Sequence, residues 1–287
     1  MWAGTVVRMR RRHFLLGAGA LGLTACAKPE RSLLDEWADT ELELAPGGPR
    51  TTTTTTTTTP VANNDTIAPI EERSPYPFDI AAEDLPGLSF VAEAVVSTVA
   101  ITASPGGDDV LFTFDNPIPS GGPLVFLVEE FDGLENFRVR LPTRPNGNFG
   151  WVRGTDVLLT RHNYEIQVRL DDFLLVLSER GVPIFETTVG VAREDAPTPL
   201  GRYYTTELLR PPTPNSVYGT YAYGLSGYSE VLTEFAGGEG QLGIHGTNDP
   251  SSLGTNVSSG CIRLHNDDIS LLVEQIGLPL GVPVEVI

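Results

Sequence analysis

His245 and Cys261, sixteen positions apart, are the residues of this chain best suited by type to covalent chemistry. A thiol attacks a carbonyl only as the thiolate, and an ordinary cysteine with a pKa near 8.5 is ionised by only about a few per cent at neutral pH. A neighbouring imidazole can take the thiol proton and later return it to a leaving amine, which is the chemistry of acyl transfer. Gly260 precedes the cysteine and has no side chain, so backbone there can approach a substrate closely. The N–H groups of Cys261 and Gly260 are the expected donors to a tetrahedral oxyanion, an effect worth about 2.7–4 kcal/mol per donor in other enzymes. By residue type alone two bland alternatives stay open: a structural histidine, and a cysteine buried as a small hydrophobe.

The wording around the pair is more specific. His245 lies in Ile244-His245-Gly246-Thr247-Asn248-Asp249-Pro250, and Cys261 in Ser259-Gly260-Cys261-Ile262-Arg263-Leu264-His265-Asn266. The two strings and their separation resemble the signature of the L,D-transpeptidase (YkuD-type) family, and Thr198-Pro199-Leu200-Gly201 resembles that family's TPxG turn. The resemblance covers roughly the last 125 residues. It implies Cys261 as nucleophile, His245 as proton acceptor and donor, and Arg263 as the family's basic residue. The implied reaction runs through a thioester on a peptidoglycan peptide stem and ends in a three-to-three cross-link. With water as acceptor the same first half gives an L,D-carboxypeptidase. Ser259 departs from the commonest pattern, a histidine at that position, and is expected to tune substrate fit. Expected substrate contacts are Arg263, Ser259, Gly246 and Tyr223. No cofactor is implied, and His245, Cys261 and His265 fit no usual zinc spacing. A different class of function, a wall-binding lipoprotein with a retired catalytic domain, is disfavoured by the retention of both His245 and Cys261.

These residues need a frame. From Tyr164 to Leu170 apolar and polar residues alternate, the period of a half-buried strand. Asp171-Asp172 and Arg180-Gly181 then turn the chain into two further strands of a meander. Near the end, Asn266 can cap a short helix whose Ile269, Leu272, Val273 and Ile276 share a face and which Gly277 stops; Val282 to Ile287 reads as a last strand. Between Pro211 and Gly240, Pro, Gly and Tyr are dense, and Tyr218, Tyr221, Tyr223 and Tyr228 either line the cleft from a lid or pack the sheet. Residues 93–158 carry short β-like runs with regular turn signals, and Phe137 to Pro142 with Asn146-Gly147 and Gly150-Trp151-Val152 resembles a bacterial SH3-like domain.

The N-terminal third reads differently. Residues 1–26 combine Arg8, Arg10, Arg11 and Arg12 with an apolar run from Phe14 to Leu23, the layout of an export signal, and that run is too short for a permanent span. Leu23-Thr24-Ala25-Cys26 resembles a lipobox, making Cys26 the expected lipidation site and membrane anchor, and Arg11-Arg12-His13-Phe14-Leu15 resembles a twin-arginine signal. With Cys26 lipidated, Cys261 has no partner within the chain, and a lone thiol in an exported protein calls for an explanation. Residues 27–92, with nine consecutive threonines, read as a disordered tether. Losing four arginines and no carboxylate with residues 1–25 takes the formal charge from −18 to −22, which excludes nucleic acid as a partner. The expected protein is therefore mainly β: a YkuD-type β-sandwich with one short helix over 161–287, preceded by an SH3-like barrel, a tether and a signal.

Overall fold

A computed structural model describes residues 76–213, 215–232 and 239–287. The expected signal, the Cys26 lipobox and the tether as far as residue 75 lie outside the described residues. Residues 76–92, placed in the expected tether, include strand residues and aromatic side chains packed on the first sheet. Tyr76 and Phe78 pack on Phe90 at ring-centroid distances of 5.2 and 5.6 Å, and both also meet Phe131. Aromatic residues with an apolar surface to cover are held to the domain that offers it.

The first sheet has seven strands: β1 (Ser89–Ala94), β2 (Thr98–Thr102), β3 (Val110–Asp115), β4 (Val125–Asp132), β5 (Asn136–Arg140), β6 (Phe149–Arg153) and β7 (Val157–His162). Their order is β3-β2-β6-β5-β4-β1-β7. It takes in β1 and the end of β7, strands that extend past the expected 93–158 run. Its core is formed by Phe90, Val99, Ile101, Phe126, Phe137, Val139 and Val152.

The chain passes through Asn163 into the second sheet. Its elements are β8 (Tyr164–Arg169), β9 (Leu174–Glu179), β10 (Val182–Thr188), β11 (Val191–Ala192), β12 (Gly201–Leu209), β13 (Ala222–Tyr228), β14 (Gln241–His245), β15 (Asn256–Ser258), β16 (Ile262–Arg263) and β17 (Pro283–Val286). Eight of these form one sheet in the order β10-β9-β8-β17-β12-β13-β14-β16, while β11 pairs with β15 alongside. The expected meander is β8-β9-β10, and its second turn has positive φ at both Arg180 and Gly181, the conformation a two-residue hairpin prefers. Helix α1 (Asn266–Ser270) continues as a wider π-type turn to Ile276, and Gly277 ends it at φ +68°. The cap falls one residue before the expected Asn266: His265 Nδ1 accepts the Asp267 N–H at 3.3 Å.

The core of the second sheet lies under this helix. Ile269 and Leu272 pack with Ile244, Ile262, Leu264, Leu242 and Tyr223, and all are almost fully buried. Each such aliphatic side chain contributes roughly 1.5–3 kcal/mol by leaving water. The two sheets also share a small cluster of Val91, Val125, Leu127 and Tyr204, with Tyr204 Oη donating to Val125 O at 3.2 Å.

Candidate active site

Alternation along two neighbouring strands builds the site. On β14, Leu242 and Ile244 enter the core, so Gly243 and His245 must face the other way; around β16, Ile262 and Leu264 are core and Cys261 and Arg263 alternate with them. The strands are parallel, with Ile244 level with Ile262 and His245 level with Arg263. Continuing that register by one residue brings Cys261 beside Gly243, and a side-chain carbon on Gly243 would begin 3.9 Å from Sγ. His245 follows two residues on, about 6.8 Å along the same face. Across β13 the register sets Ala222 against His245 and Gly224 against Gly243, where a Cβ on Gly224 would meet the Glu207 side chain at 2.8 Å. Cys261 is half-buried.

The imidazole is fixed in one tautomer. His245 Nδ1 lies 2.6 Å from Gly246 O, and a carbonyl can only accept, so Nδ1 carries the proton and Nε2 the lone pair. Tyr218 covers the ring edge-on, with centroids 5.0 Å apart. His245 is 3% exposed. Burial pushes its pKa down to about 4, with the Gly246 carbonyl opposing and the nearby Arg263 guanidinium reinforcing the shift. The ring is therefore a neutral base at physiological pH, and an imidazolium there requires a compensating negative charge such as a thiolate.

The cysteine turn is held from two sides. Gly260 has φ +129°, and a Cβ there would meet Leu242 Cδ2 at 2.9 Å, so the position requires glycine. Thr198 Oγ1, from the TPLG turn, donates to Gly260 O at 2.8 Å. Ser258 Oγ accepts the Gly260 N–H at 3.2 Å and donates to Cys261 O at 2.5 Å. Arg193 adds a bond from Nη2 to Ser259 Oγ at 3.0 Å and one from Nη1 to Val257 O at 3.2 Å.

Several sequence expectations change here. The Gly260 N–H, an expected oxyanion donor, is bonded within its own turn to Ser258 Oγ. Tyr223 is no cleft residue: it stands level with Ile244 on the core face, is 1% exposed and donates to Leu278 O at 2.8 Å. Gly246 supports the imidazole through its carbonyl, and a Cβ there would strike Asn266 Oδ1 at 2.2 Å, so it leaves no substrate surface. Ser259 is half-buried and accepts from Arg193 Nη2. Arg263 is buried beside the imidazole, its backbone bonded both ways to Gly190. The expected lid contains strand β13, and of its four tyrosines Tyr218 meets the His245 ring edge-on. Tyr221 Oη instead reaches Glu274, and Tyr228 Oη reaches Pro142 O.

Other supporting residues were not anticipated. Asn266 Oδ1 accepts the N–H groups of Thr247 at 3.1 Å and Thr220 at 3.3 Å, tying the segment after His245 to the one bearing Tyr218. Gly243 was legible as the small residue between Leu242 and Ile244. Thr198 and Ser258 carry no signal in sequence beyond their motifs, because their partners are backbone groups.

Residues 163–286 match the family model of the L,D-transpeptidase catalytic domain, YkuD. A Bacillus licheniformis protein named as a candidate L,D-transpeptidase, YkuD, is 36% identical over 106 residues, 37% of this chain and 56% of its own length. Bacillus subtilis YqjB, named in the same way, is 29% identical over 134 residues, 46% of this chain and 74% of its own. The chain thus spans little more than half of the YkuD relative. L,D-transpeptidase 3 of Mycobacterium tuberculosis aligns over 69% of this chain and 98% of its own at 15% identity, with a TM-score of 0.37, a likeness too weak to carry argument. The span that matches the L,D-transpeptidase catalytic domain holds both His245 and Cys261.

Proposed function

We propose that this protein is a peptidoglycan L,D-transpeptidase of the cell envelope, with Cys261 as nucleophile and His245 as general base and acid. Nε2 takes the thiol proton as Sγ attacks the carbonyl of the third, L-centred linkage of a tetrapeptide stem. The tetrahedral oxyanion is stabilised by the Cys261 N–H. As the C–N bond breaks, the imidazolium gives its proton to the amine of the departing D-alanine, leaving a thioester on Sγ. An amine from a second stem then attacks, loses its proton to Nε2, and the C–S bond breaks to restore the thiol and release a three-to-three cross-linked product. Export, a lipid anchor at Cys26, the tether and an SH3-like reading of the first sheet complete the proposal, which brings the enzyme to the outer face of the cytoplasmic membrane.

The observation that supports it most strongly is the shared register: a half-buried thiol beside Gly243, with an imidazole two residues on whose lone pair is left on Nε2. Incubating the full chain with donor and acceptor stems and weighing protein and products tests the reading. The expected results are an adduct on Cys261 equal to the donor stem less D-alanine, and a stem dimer. Activity that survives in Cys261→Ala, or a wild type that never acquires the adduct, contradicts it. Release of the shortened stem alone would make the enzyme an L,D-carboxypeptidase.

A further inference from the structure

The loop 142–148 joins β5 to β6 in the first sheet, yet its Pro142, Arg144 and Asn146 bond to residues around the end of β13 in the second. Arg144 Nη1 donates to Ser229 O at 2.5 Å, while Nη2 donates to Leu232 O at 2.9 Å and Glu239 O at 2.6 Å. Asn146 and Tyr228 exchange two bonds of 2.8 Å, Nδ2 to the Tyr228 carbonyl and the Tyr228 N–H to Oδ1, as a neighbouring strand would. The guanidinium also lies over the Tyr228 ring, 5.1 Å from its centroid, and Tyr228 Oη donates to Pro142 O at 3.1 Å. A guanidinium is a rigid fork of five donors, suited to holding several carbonyls at once, which a lysine ammonium on a flexible stem does not reproduce.

The residues so held, Ser229, Leu232 and Glu239, lie between the two strands that frame the site. β13 ends at Tyr228 and β14 begins at Gln241. Next to the first foot, Ser229 is buried, and its Cβ lies 4.0 Å from where a side chain on Gly260 would start. Beyond the second foot, β14 carries Gly243, under the thiol, and then His245. Gly240, at φ +70°, lets the chain pass close: a Cβ there would lie 3.1 Å from Arg144 Nη2 and 2.1 Å from Leu232 O.

We propose that Arg144 and Asn146 are positioning residues for the Cys261–His245 pair, so that the first sheet sets the geometry of the reaction carried by the second. The clamp fixes Ser229 against Gly260 and fixes where β14 runs beneath Cys261. It rests on the reading that Cys261 and His245 react together.

The test uses the full chain with Arg144→Ala, Arg144→Lys and Asn146→Ala, measuring thermal melting, kcat and KM for cross-linking, and the pH profile of Cys261 alkylation by iodoacetamide. The clamp predicts that variants which still melt cooperatively lose about tenfold in neutral-pH alkylation and in kcat, the size of coupling expected within one hydrogen-bond network. It predicts KM within about twofold of wild type and no rescue by lysine. Folded variants with the wild-type alkylation profile and kcat overturn it. If Arg144→Ala does not fold at the assay temperature, Asn146→Ala decides, since it removes two hydrogen bonds only. A wild-type Cys261 that alkylates no faster than in His245→Ala overturns the reading of the pair and the clamp with it. A wild-type advantage that persists undiminished in the Arg144 and Asn146 variants overturns the clamp alone.

Discussion

His162 closes the first sheet where the chain passes into the second, and His245 closes β14 beside the thiol. Burial pushes both imidazoles down to about 4. Their tautomers are opposite. His162 Nδ1 accepts the Tyr164 N–H at 3.2 Å, so its proton sits on Nε2, an atom sealed from solvent. His245 donates from Nδ1 to Gly246 O and keeps its lone pair on Nε2, on the strand face that carries Gly243 beside Cys261. Desolvation alone is therefore no mark of a catalytic base. What separates the two is which nitrogen carries the proton and whether a nucleophile shares the face with the other.

The largest expected effect breaks this pair apart by substitution. His245→Ala should lower kcat/KM for cross-linking by about 10²–10⁴-fold while the protein still melts cooperatively. His162→Ala should do the reverse: a stability loss of about 1–3 kcal/mol, with kcat within about twofold of wild type at temperatures well below Tm. Steady-state kinetics beside thermal melts separate the two outcomes.

The feature common to both histidines should appear in the pH dependence of folding. Each folded-state pKa lies below the unfolded value of 6.5, so the unfolded chain binds more protons between pH 6.5 and about 4. The contribution is complete above 6.5 and is lost as pH falls toward 4, about 3 kcal/mol for His245 alone. Denaturant unfolding at stepped pH should show this slope, and His162→Gln should flatten it without changing the pH profile of activity.

Two smaller effects sharpen the thiol side. Gly260→Ala forces a side chain into a left-handed backbone position and against Leu242, with an expected cost of about 1–3 kcal/mol and a fall in acylation rate. Gly254→Ala, at φ +74° but with only Thr188 Cγ2 within van der Waals contact at 3.6 Å, should cost stability without slowing acylation. Thr198→Val, which leaves Gly260 O without its hydroxyl donor, should cost about 1 kcal/mol and slow acylation, and Thr198→Ser should restore both, as read by melting and by intact mass over time.

The sequence made the meander, the Gly277 stop and the His245–Cys261 wording legible, because alternation, turn residues and motif spacing are local. It misassigned Tyr223 because a Pro-, Gly- and Tyr-rich stretch looks like a loop until β13 is known to run through it. Once paired with β14, Tyr223 must follow Ile244 into the core. The engagement of the Gly260 N–H by Ser258, and the shift of the helix cap to His265, depend on side-chain directions that a string does not carry. Arg144 was invisible for a stronger reason: its three carbonyl partners lie 85 to 95 residues away and belong to backbone, so no residue type marks them.

Single-turnover acylation by a donor stem, followed by rapid-quench intact mass in wild type and His245→Gln, tests the shared proton most directly. The account predicts a thioester on Cys261 that forms about 10²–10⁴-fold faster in the wild type. Equal rates in the two proteins, or an adduct on any other residue, would contradict it.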